Sequence, residues 1–377
     1  MQSMLKVAMV NSESAQHGGI SRVVQELTTR WDLQILRCEA QLTSPSLPVV
    51  RSYPTRCHVP PGTDLVYLPR TSGTTALKRL GLPSVVTVHD VGFWDCEADA
   101  RVLGWRKVLV IPDFKSLRWA SRVVVDSHFT GARLGLLIPD IQDRIRVIHL
   151  GVSDVFLNWD WDRERSRKMA QSQFPELTGG PLLIYTGDDA PRKNLPVLLA
   201  AFRDVKRQHP SAQLIKVGRA KLAADRECTL QVLKALGLDA GRDVLFYGDI
   251  DDLALACLYR ASDAFVSTSL YEGFGLPPLE ALAVGTPAVV TNRGAFPEIV
   301  GNAAHVVEPT RDAITKAVLQ VLRGNAGHTD SALLKSFARR YSWDRAAQQY
   351  MDVFQDAVHG NRAPSRERSV SGRYRTL

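Results

Sequence analysis

Apolar runs with the composition of buried strands alternate with helix-like stretches along most of this chain. Residues 5–10 and 182–186 are short and rich in aliphatic side chains, whereas residues 20–31 and 195–207 have the apolar spacing of amphipathic helices. Such alternation is typical of parallel sheets covered by helices on both faces. Residues 175–181 interrupt the pattern with glycines and prolines, after which it begins again. We therefore predict an α/β fold of two doubly wound parallel-sheet domains in series.

Length and composition agree with two globular domains. At about 150 residues per domain, 377 residues are too many for one ordinary core. The 45% hydrophobic and 23% charged fractions exclude a disordered or membrane-embedded chain, and no apolar run approaches the ~20 residues that span a bilayer. The first residues lead into a strand and offer too short an apolar core for a signal peptide, so we expect a cytoplasmic protein. Five scattered cysteines without a Cys-x-x-Cys pair indicate reduced thiols rather than disulfides or a zinc site.

Half of the net charge of +8 lies in the last residues of the chain. Residues 361–377 hold five arginines against one glutamate, and their composition predicts a disordered tail. The tail is a candidate for peripheral contact with anionic lipid at the inner face of the membrane, and a solvated tail without a partner is the equal alternative. Nucleic-acid binding is not favoured, because interleaved aromatics and a recognised motif are absent.

Residues 269–281 carry two carboxylates around a glycine-bearing turn. Residues 264–268 before this turn predict a buried strand, so Glu272 follows the carboxyl end of a strand, where open α/β sheets bind ligands. Glu280 lies about one helical turn further on and can accept hydrogen bonds from vicinal hydroxyls. The plainer alternative is an ordinary strand-turn-helix corner with two solvated glutamates.

The backbone of the same turn suits an anion. Gly273 and Gly275 let the chain turn tightly and approach a ligand without a Cβ clash. Pro277 fits the first turn of a helix, so N–H groups around Phe274 and Leu276 can converge on a phosphate. A phosphate at the turn and a polyol on each glutamate together describe a nucleotide sugar.

This segment resembles the E-x7-E signature of retaining glycosyltransferases with the GT-B architecture, in particular the large family 4. Other family motifs have counterparts here in the same order: Gly18-Gly-Ile-Ser-Arg22, Val86-Thr-Val-His-Asp90, Arg144 to Val152, Pro191-Arg-Lys-Asn194, Gly294 to Gly301 and Tyr341-Ser-Trp-Asp344. The chain looks most similar to bacterial mannosyl- and rhamnosyltransferases of surface-polysaccharide assembly. The resemblance implies two Rossmann-like domains facing across a cleft, namely an acceptor-side domain over residues 1–174 and a nucleotide-sugar domain over residues 181–340. It also implies a last helix, residues 341–360, that crosses back onto the first domain.

The resemblance assigns roles in the second domain. Arg192 and Lys193 would bind the diphosphate, Glu280 the ribose hydroxyls and Glu272 the hydroxyls of the transferred sugar. The amides of Gly273 and its neighbours would serve the sugar and the distal phosphate. Taken alone, an Arg-Lys pair on a loop is usually solvated.

Three further positions are weaker candidates. Gly218 follows a strand and either borders the base pocket or is a turn residue. Gly18 and Gly19 let the backbone approach the phosphate or the acceptor, or form a purely structural turn. His89 ends an apolar strand, and the resemblance makes it face the transferred sugar, with Asp90 either orienting its ring or capping the following turn.

Asp188 and Asp189 follow the first strand of the second half. We interpret them as solvent-exposed loop or as charge near a helix N-terminus, not as a metal site. Some family members have an arginine where this chain has Asp188, so one phosphate contact of the family is in doubt.

These features predict a retaining, metal-independent hexosyltransferase without a cofactor, because Arg192 and Lys193 can stabilise the departing diphosphate. We expect GDP-mannose as the donor, which would supply mannose, and dTDP-rhamnose and UDP-sugars are the next candidates. We expect the acceptor to be a glycan or lipid-linked glycan of cell-surface polysaccharide synthesis. The resemblance implies front-face substitution, and double displacement stays open. The alternative from another class is a non-catalytic nucleotide-sugar or glycan-binding module with the same fold.

Overall fold

The computed structural model describes residues 5–10, 19–38, 40–41, 56–57, 59–96, 107–324 and 330–360. The first half forms a parallel six-stranded sheet with the order β2-β1-β5-β6-β7-β8, and β3 pairs with β4 in a separate antiparallel ribbon. Its strands are β1 Lys6–Val10, β2 Gln34–Cys38, β3 Ala40–Gln41, β4 Arg56–Cys57, β5 Leu65–Leu68, β6 Ser84–Val88, β7 Arg122–Val125 and β8 Ile145–Val147. Its helices are α1 Gly19–Thr28, α2 Leu77–Leu80, α3 Gly92–Asp95, α4 Lys107–Ser116, α5 His128–Leu137 and α6 Asp154–Leu157.

The second half repeats the plan. Six parallel strands take the order β11-β10-β9-β12-β13-β14. They are β9 Leu182–Thr186, β10 Gln213–Val217, β11 Val244–Tyr247, β12 Ala264–Val266, β13 Ala288–Thr291 and β14 His305–Val307. Its helices are α7 Arg163–Gln173, α8 Leu195–Gln208, α9 Ala223–Ala235, α10 Asp252–Ala261, α11 Leu276–Ala283, α12 Phe296–Val300, α13 Arg311–Leu322, α14 Ser331–Ala338 and α15 Trp343–Gly360. Five 3-10 turns complete the described chain, at Thr74–Ala76, Leu117–Trp119, Pro139–Arg144, Pro191–Lys193 and Gly301–Ala303. The predicted two-sheet α/β architecture is confirmed.

The last helix returns to the first sheet. On α15, Tyr350 shares a buried hydrogen bond of 3.0 Å with Thr87 of β6, and Phe354 packs on the rings of Trp31 and Tyr67 at 5.2 and 5.3 Å. Where the chain crosses, a Cβ on Gly151 would lie 2.2 Å from the backbone nitrogen of Trp343, so only glycine fits there.

Helix α7 packs on the second half of the molecule. The Cys257 thiol of α10 donates to the Ser166 carbonyl at 3.2 Å, and Arg163 forms an ion pair with Asp263 just before β12. We therefore propose that the boundary between the domains lies nearer residue 162 than residue 174.

The sequence of residues 101–120 indicates a helix that breaks near Pro112, but α4 runs through Pro112. The Ser116 hydroxyl donates to the Pro112 carbonyl at 2.6 Å, one turn further along the same helix. Residues 101–106 lie outside the described chain. No helix of the described residues is long and apolar enough to cross a bilayer.

Candidate active site

The strand order of the second sheet fixes where a ligand can bind. Strands β9 and β12 are neighbours, but the chain leaves them toward opposite ends of the sheet. The loops at their carboxyl ends therefore separate and leave a crevice, which is the usual ligand site of doubly wound sheets. Arg192 and Lys193 follow β9, and Glu272 follows β12.

The basic turn after β9 is held by the loop after β12. The Thr268 hydroxyl donates to the carbonyls of Lys193 and Asn194 at 3.1 and 3.0 Å, and the Leu270 N–H donates to the Arg192 carbonyl at 2.7 Å. Asn194 has φ 54°, the one positive φ of a non-glycine residue in the described chain, and it starts α8. Asparagine tolerates this left-handed conformation better than most residues. These hydrogen bonds fix the backbone of the turn that carries both cations.

Glu272 lies against this turn. Its Oε1 accepts from Lys193 Nζ at 2.6 Å and from the Ser269 hydroxyl at 2.7 Å, and both charged side chains are largely buried. The Glu272 carbonyl accepts from the Ala295 N–H at 3.0 Å. At Gly294, φ is 63° and a Cβ would lie 2.5 Å from the Glu272 nitrogen, so this glycine allows the two loops to touch.

Glu280 is 3% exposed and lies in α11. Its carboxylate accepts from Arg22 Nη1 at 2.7 Å and from the Tyr259 hydroxyl at 3.1 Å, and Arg22 also pairs with Asp252. Burial raises the pKa of Glu280 above its usual range, against the opposing effect of Arg22. Sequence reasoning gave Arg22 no role, although the residue stands in the quoted glycine motif. Arg22 therefore joins helix α1 of the first domain to the predicted ribose carboxylate of the second.

The turn between the two glutamates contacts the first domain. The Gly273 carbonyl accepts from the hydroxyls of Ser127 and Thr130 at 2.6 and 3.2 Å, and a Cβ on Gly273 would lie 2.1 Å from the His89 carbonyl oxygen. The Phe274 side chain is buried and its ring lies 6.0 Å from the ring of His149. The cleft between the domains is therefore closed at this turn.

The start of α11 depends on Gly275, the N-cap residue with φ 98°. A Cβ there would lie 2.6 Å from the ring of Phe296, so both conformation and space require glycine. Leu276 is the first helical residue, and the prolines behind it need no N–H partner in the first turn.

His89 stands at the facing edge of the first sheet, after β6. Its Nδ1 lies 2.7 Å from Asp126 Oδ2 and its Nε2 lies 3.0 Å from the Pro69 carbonyl. Burial by itself lowers the pKa of His89, but Asp126 and the Pro69 carbonyl outweigh it, so the pKa is raised. Asp90 caps the next turn through a hydrogen bond from the Gly92 N–H at 3.0 Å. With both ring nitrogens bonded within the protein, contact of the ring with a sugar stays a prediction.

Of the other glycines predicted for the site, the structure describes Gly218 and Gly19. Gly218 has φ 109°, and a Cβ there would lie 2.6 Å from the Gly187 carbonyl oxygen. This close backbone packing at the carboxyl ends of β9 and β10 explains the glycine, and its role in a base pocket stays a prediction. Gly19 is the first residue of α1, whereas Gly18 lies outside the described residues.

The expectation that Asp188 and Asp189 form exposed loop was wrong. Asp189 is buried between Lys216 Nζ at 2.5 Å and Arg226 Nε at 2.9 Å. Burial raises the pKa of Asp188, but the neighbouring cations, including Lys193 and Lys221, outweigh it and hold the pKa below its usual range. Both carboxylates neutralise cations behind the basic turn, which a local sequence pattern cannot show.

Two Rossmann-like domains with binding groups on the facing carboxyl edges define the GT-B class of folds. Residues 166–339 match the family model described as Glycosyl transferases group 1. The chain therefore contains a domain of the glycosyl transferases group 1 family, and the protein is a hexosyltransferase.

Curated relatives extend over both halves of the chain. O-antigen chain mannosyltransferase B of Escherichia coli is 29% identical over 72% of this chain and 70% of its own length. Phosphatidyl-myo-inositol mannosyltransferase of Mycobacterium leprae is 28% identical over 63% of this chain and 69% of its own. The predicted likeness to bacterial mannosyltransferases is therefore confirmed.

Solved structures share the whole fold. Sucrose-phosphate synthase of Thermosynechococcus elongatus superposes with a TM-score of 0.72 at 20% identity, covering 94% of this chain and all of that one (100%). HepE of Anabaena, solved with UDP and glucose, has a TM-score of 0.73 at 17% identity, covering 93% of this chain and 99% of that one.

Proposed function

We propose that this hexosyltransferase is retaining and metal-independent, and that it moves a sugar from a nucleotide-sugar donor to a glycan or lipid-linked glycan. The observation that carries the proposal is the contact of 2.6 Å between Lys193 and Glu272 at the crevice of the second sheet, with Arg192 in the same turn. Cations for a diphosphate and a carboxylate for sugar hydroxyls thus stand side by side.

Glu280 is the proposed ribose residue. Its two oxygens can accept from the 2′- and 3′-hydroxyls of a ribose, in place of the hydrogen bond that Arg22 now donates. Donor binding would therefore exchange one partner of Glu280 for another. Tyr259 can continue to orient the second oxygen.

The chemical step that we propose is front-face substitution. The bond between the anomeric carbon and the diphosphate oxygen breaks as the acceptor oxygen bonds to the same face of the sugar. The acceptor proton passes to the departing phosphate oxygen, and Arg192 and Lys193 stabilise the charge that develops there. Glu272, paired with Lys193 and Ser269, is committed to positioning rather than to nucleophilic attack.

No metal or other cofactor enters the scheme, because the two cations supply the charge that a divalent ion would supply. Transfer should therefore persist in excess EDTA, measured as release of the nucleoside diphosphate. An activity that EDTA abolishes and Mg²⁺ restores would refute this part of the proposal.

The relatives guide the choice of substrate. Because mannosyltransferases of E. coli and M. leprae are similar to this chain, GDP-mannose is the first donor to test. UDP-sugars come second, because HepE was solved with UDP-glucose, and dTDP-rhamnose comes third. The O-antigen relative favours a surface-polysaccharide acceptor. We propose a cytoplasmic enzyme that can act at the inner face of the membrane. Its basic tail, residues 361–377, lies outside the described residues and is our candidate for anionic lipid contact.

A nucleotide screen tests the proposal. Thermal unfolding is followed with GDP, UDP and dTDP, each alone and as its sugar conjugate. We expect one base to stabilise the protein and Glu280→Ala to abolish this effect, while Glu227→Ala, at an exposed glutamate of α9, leaves it unchanged. The anomeric configuration of the product, determined by NMR, then tests retention. Stabilisation by a donor without any transfer would favour the non-catalytic alternative.

A further inference from the structure

A cavity of about 210 Å³ lies where the chain crosses from the second domain back to the first. His128 and His149, just after β7 and β8, line one side, and residues from 340 to 349 line the other. None of the residues proposed for the donor lines this cavity. At about 30 Å³ per water molecule, it has room for a phosphate-sized group with its waters.

The lining is basic. Arg340 and Arg345 join the two imidazoles, and no carboxylate lines the cavity. Among the residues that the structure describes, neither arginine forms an ion pair with a carboxylate. Arginine forks match the oxygens of a phosphate, so the lining favours an anionic ligand of this kind.

The polar groups of the lining can also donate. The Ser342 oxygen accepts from the backbone N–H groups of Asp344 and Arg345 at 3.2 and 3.4 Å, which leaves its hydroxyl proton for a ligand. The Gln349 amide contributes two more donors. Tyr341 differs, because its hydroxyl already donates to the Ile299 carbonyl at 2.6 Å. Donors therefore outnumber acceptors in this cavity.

A divalent cation is the rival occupant. One ligand atom each from His128, His149 and Glu298 lies within 4.8 Å of the others. However, the oxygens of Glu298 already accept from the His128 and Phe129 N–H groups at 2.9 and 3.0 Å and contact His149 Nε2 at 2.8 Å. A cation would have to displace these hydrogen bonds and lie beside two arginines, so the arrangement favours an anion.

We propose that this cavity is a subsite for a phosphate-bearing group. The ring of His149 lies 6.0 Å from the ring of Phe274, so the subsite borders the turn that follows Glu272. The phosphate can belong to the acceptor or be free in solution. Only the acceptor source rests on the proposed transferase function.

The direct test is a calorimetric titration with inorganic phosphate at constant ionic strength. It is done in an Arg192→Ala, Lys193→Ala background, because the basic turn is the other candidate phosphate site. Arg340→Gln with Arg345→Gln should weaken binding by about tenfold or more, since two charge-assisted contacts are lost. The control is Arg339→Gln, which removes one positive charge beside Arg340 at a residue that does not line the cavity. Its affinity for phosphate should stay unchanged.

Three results would overturn the subsite. The first is that phosphate does not bind to the background protein, and the second is that the control variant weakens phosphate binding as much as the double Arg variant does. The third is that Zn²⁺ binds in place of phosphate and that His128→Ala abolishes the binding of Zn²⁺. Circular dichroism of each variant verifies folding, and all three arginines are exposed.

A transfer assay then separates the two sources. If the acceptor carries the phosphate, inorganic phosphate should raise the acceptor KM and leave the donor KM unchanged, and the double Arg variant should lose this effect. If free phosphate is the ligand, it should change kcat at constant acceptor KM. If no nucleotide binds, the proposed function is refuted, whereas the result of the phosphate titration remains valid.

Discussion

At the scale of single residues, the pair of Lys193 and Glu272 has the sharpest consequence. Lys193→Met should lower kcat by about 10²- to 10³-fold, because a preorganised charge at the leaving group is lost. Steady-state rates measure the effect, with circular dichroism to verify folding. Lys168→Met, at an exposed lysine paired with Glu164 on α7, is the matched control and should keep the wild-type rate. A wild-type rate in Lys193→Met would remove its proposed role.

Arg22 gives a second prediction, which concerns pH. In Arg22→Met the buried Glu280 loses the cation that opposes burial, so its already raised pKa rises further. A carboxyl whose folded-state pKa lies above its unfolded value contributes stability below the unfolded pKa and loses it as pH rises through the folded pKa. The destabilisation by Arg22→Met should therefore grow as pH rises above the ordinary pKa of a glutamate, about 4.3, toward about 1.5–3 kcal/mol.

Urea unfolding at each pH measures this deficit. Arg30→Met is the control just after the same helix, because Arg30 pairs with three carboxylates, those of Glu26, Asp154 and Asp344, and the last two are exposed. We expect its deficit to be nearly independent of pH over this range. A deficit of Arg22→Met that is flat or shrinks with pH would contradict the assignment of Glu280 as its partner.

At the scale of elements, the turn after β12 must carry glycine where it meets the first domain. An alanine at Gly273 would place its Cβ 2.1 Å from the His89 carbonyl oxygen, which forces the two domain edges apart. A displacement of about 1 Å at reacting groups can cost about 10²-fold in rate, so Gly273→Ala should lower kcat strongly. Gly179→Ala, with nothing within 4 Å of the added Cβ, should leave the rate unchanged. Normal turnover by Gly273→Ala would show that the closed contact is not the active one.

Buried strands could be predicted from sequence, since their apolar composition is local. The bounds of β9 match the predicted residues 182–186. Helix α5 was not predicted, because Gly131 and Gly135 weaken its pattern. Gly131 packs on β7, where a Cβ would lie 3.3 Å from the Val125 side chain. Strand β14 was missed because it has only three half-buried residues.

The candidate site could be predicted only in part. The carboxyl ends of β9 and β12 carry Lys193 and Glu272 as the sequence pattern predicted. The ion pair of Arg22 with Glu280 could not be predicted, because its partners are separated by 258 residues and meet only when the domains face each other. Asp126 was not predicted as the partner of His89 either, and the two residues meet because they follow the neighbouring strands β6 and β7 of the first sheet.

At the scale of the whole molecule, α15 ties the carboxyl end of the chain to the first sheet. Phe354 is fully buried and packs on Trp31 and Tyr67 of the first half and on Tyr350 of its own helix. Phe354→Ala should therefore cost about 3–5 kcal/mol in the free energy of unfolding. Because α15 also continues the chain of the second half, loosening it should separate the unfolding of the two domains.

Scanning calorimetry measures this coupling. We expect Phe354→Ala to lower the first transition and to split a single endotherm into two, with the first half melting earlier. Leu136→Ala, at a leucine of α5 that is 72% exposed, is the control. It should change the free energy of unfolding by no more than about 0.5 kcal/mol. A single endotherm in Phe354→Ala, displaced as a whole, would mean that the contacts between Gly273 and Ser127 and between Arg22 and Glu280 couple the domains without help from the helix.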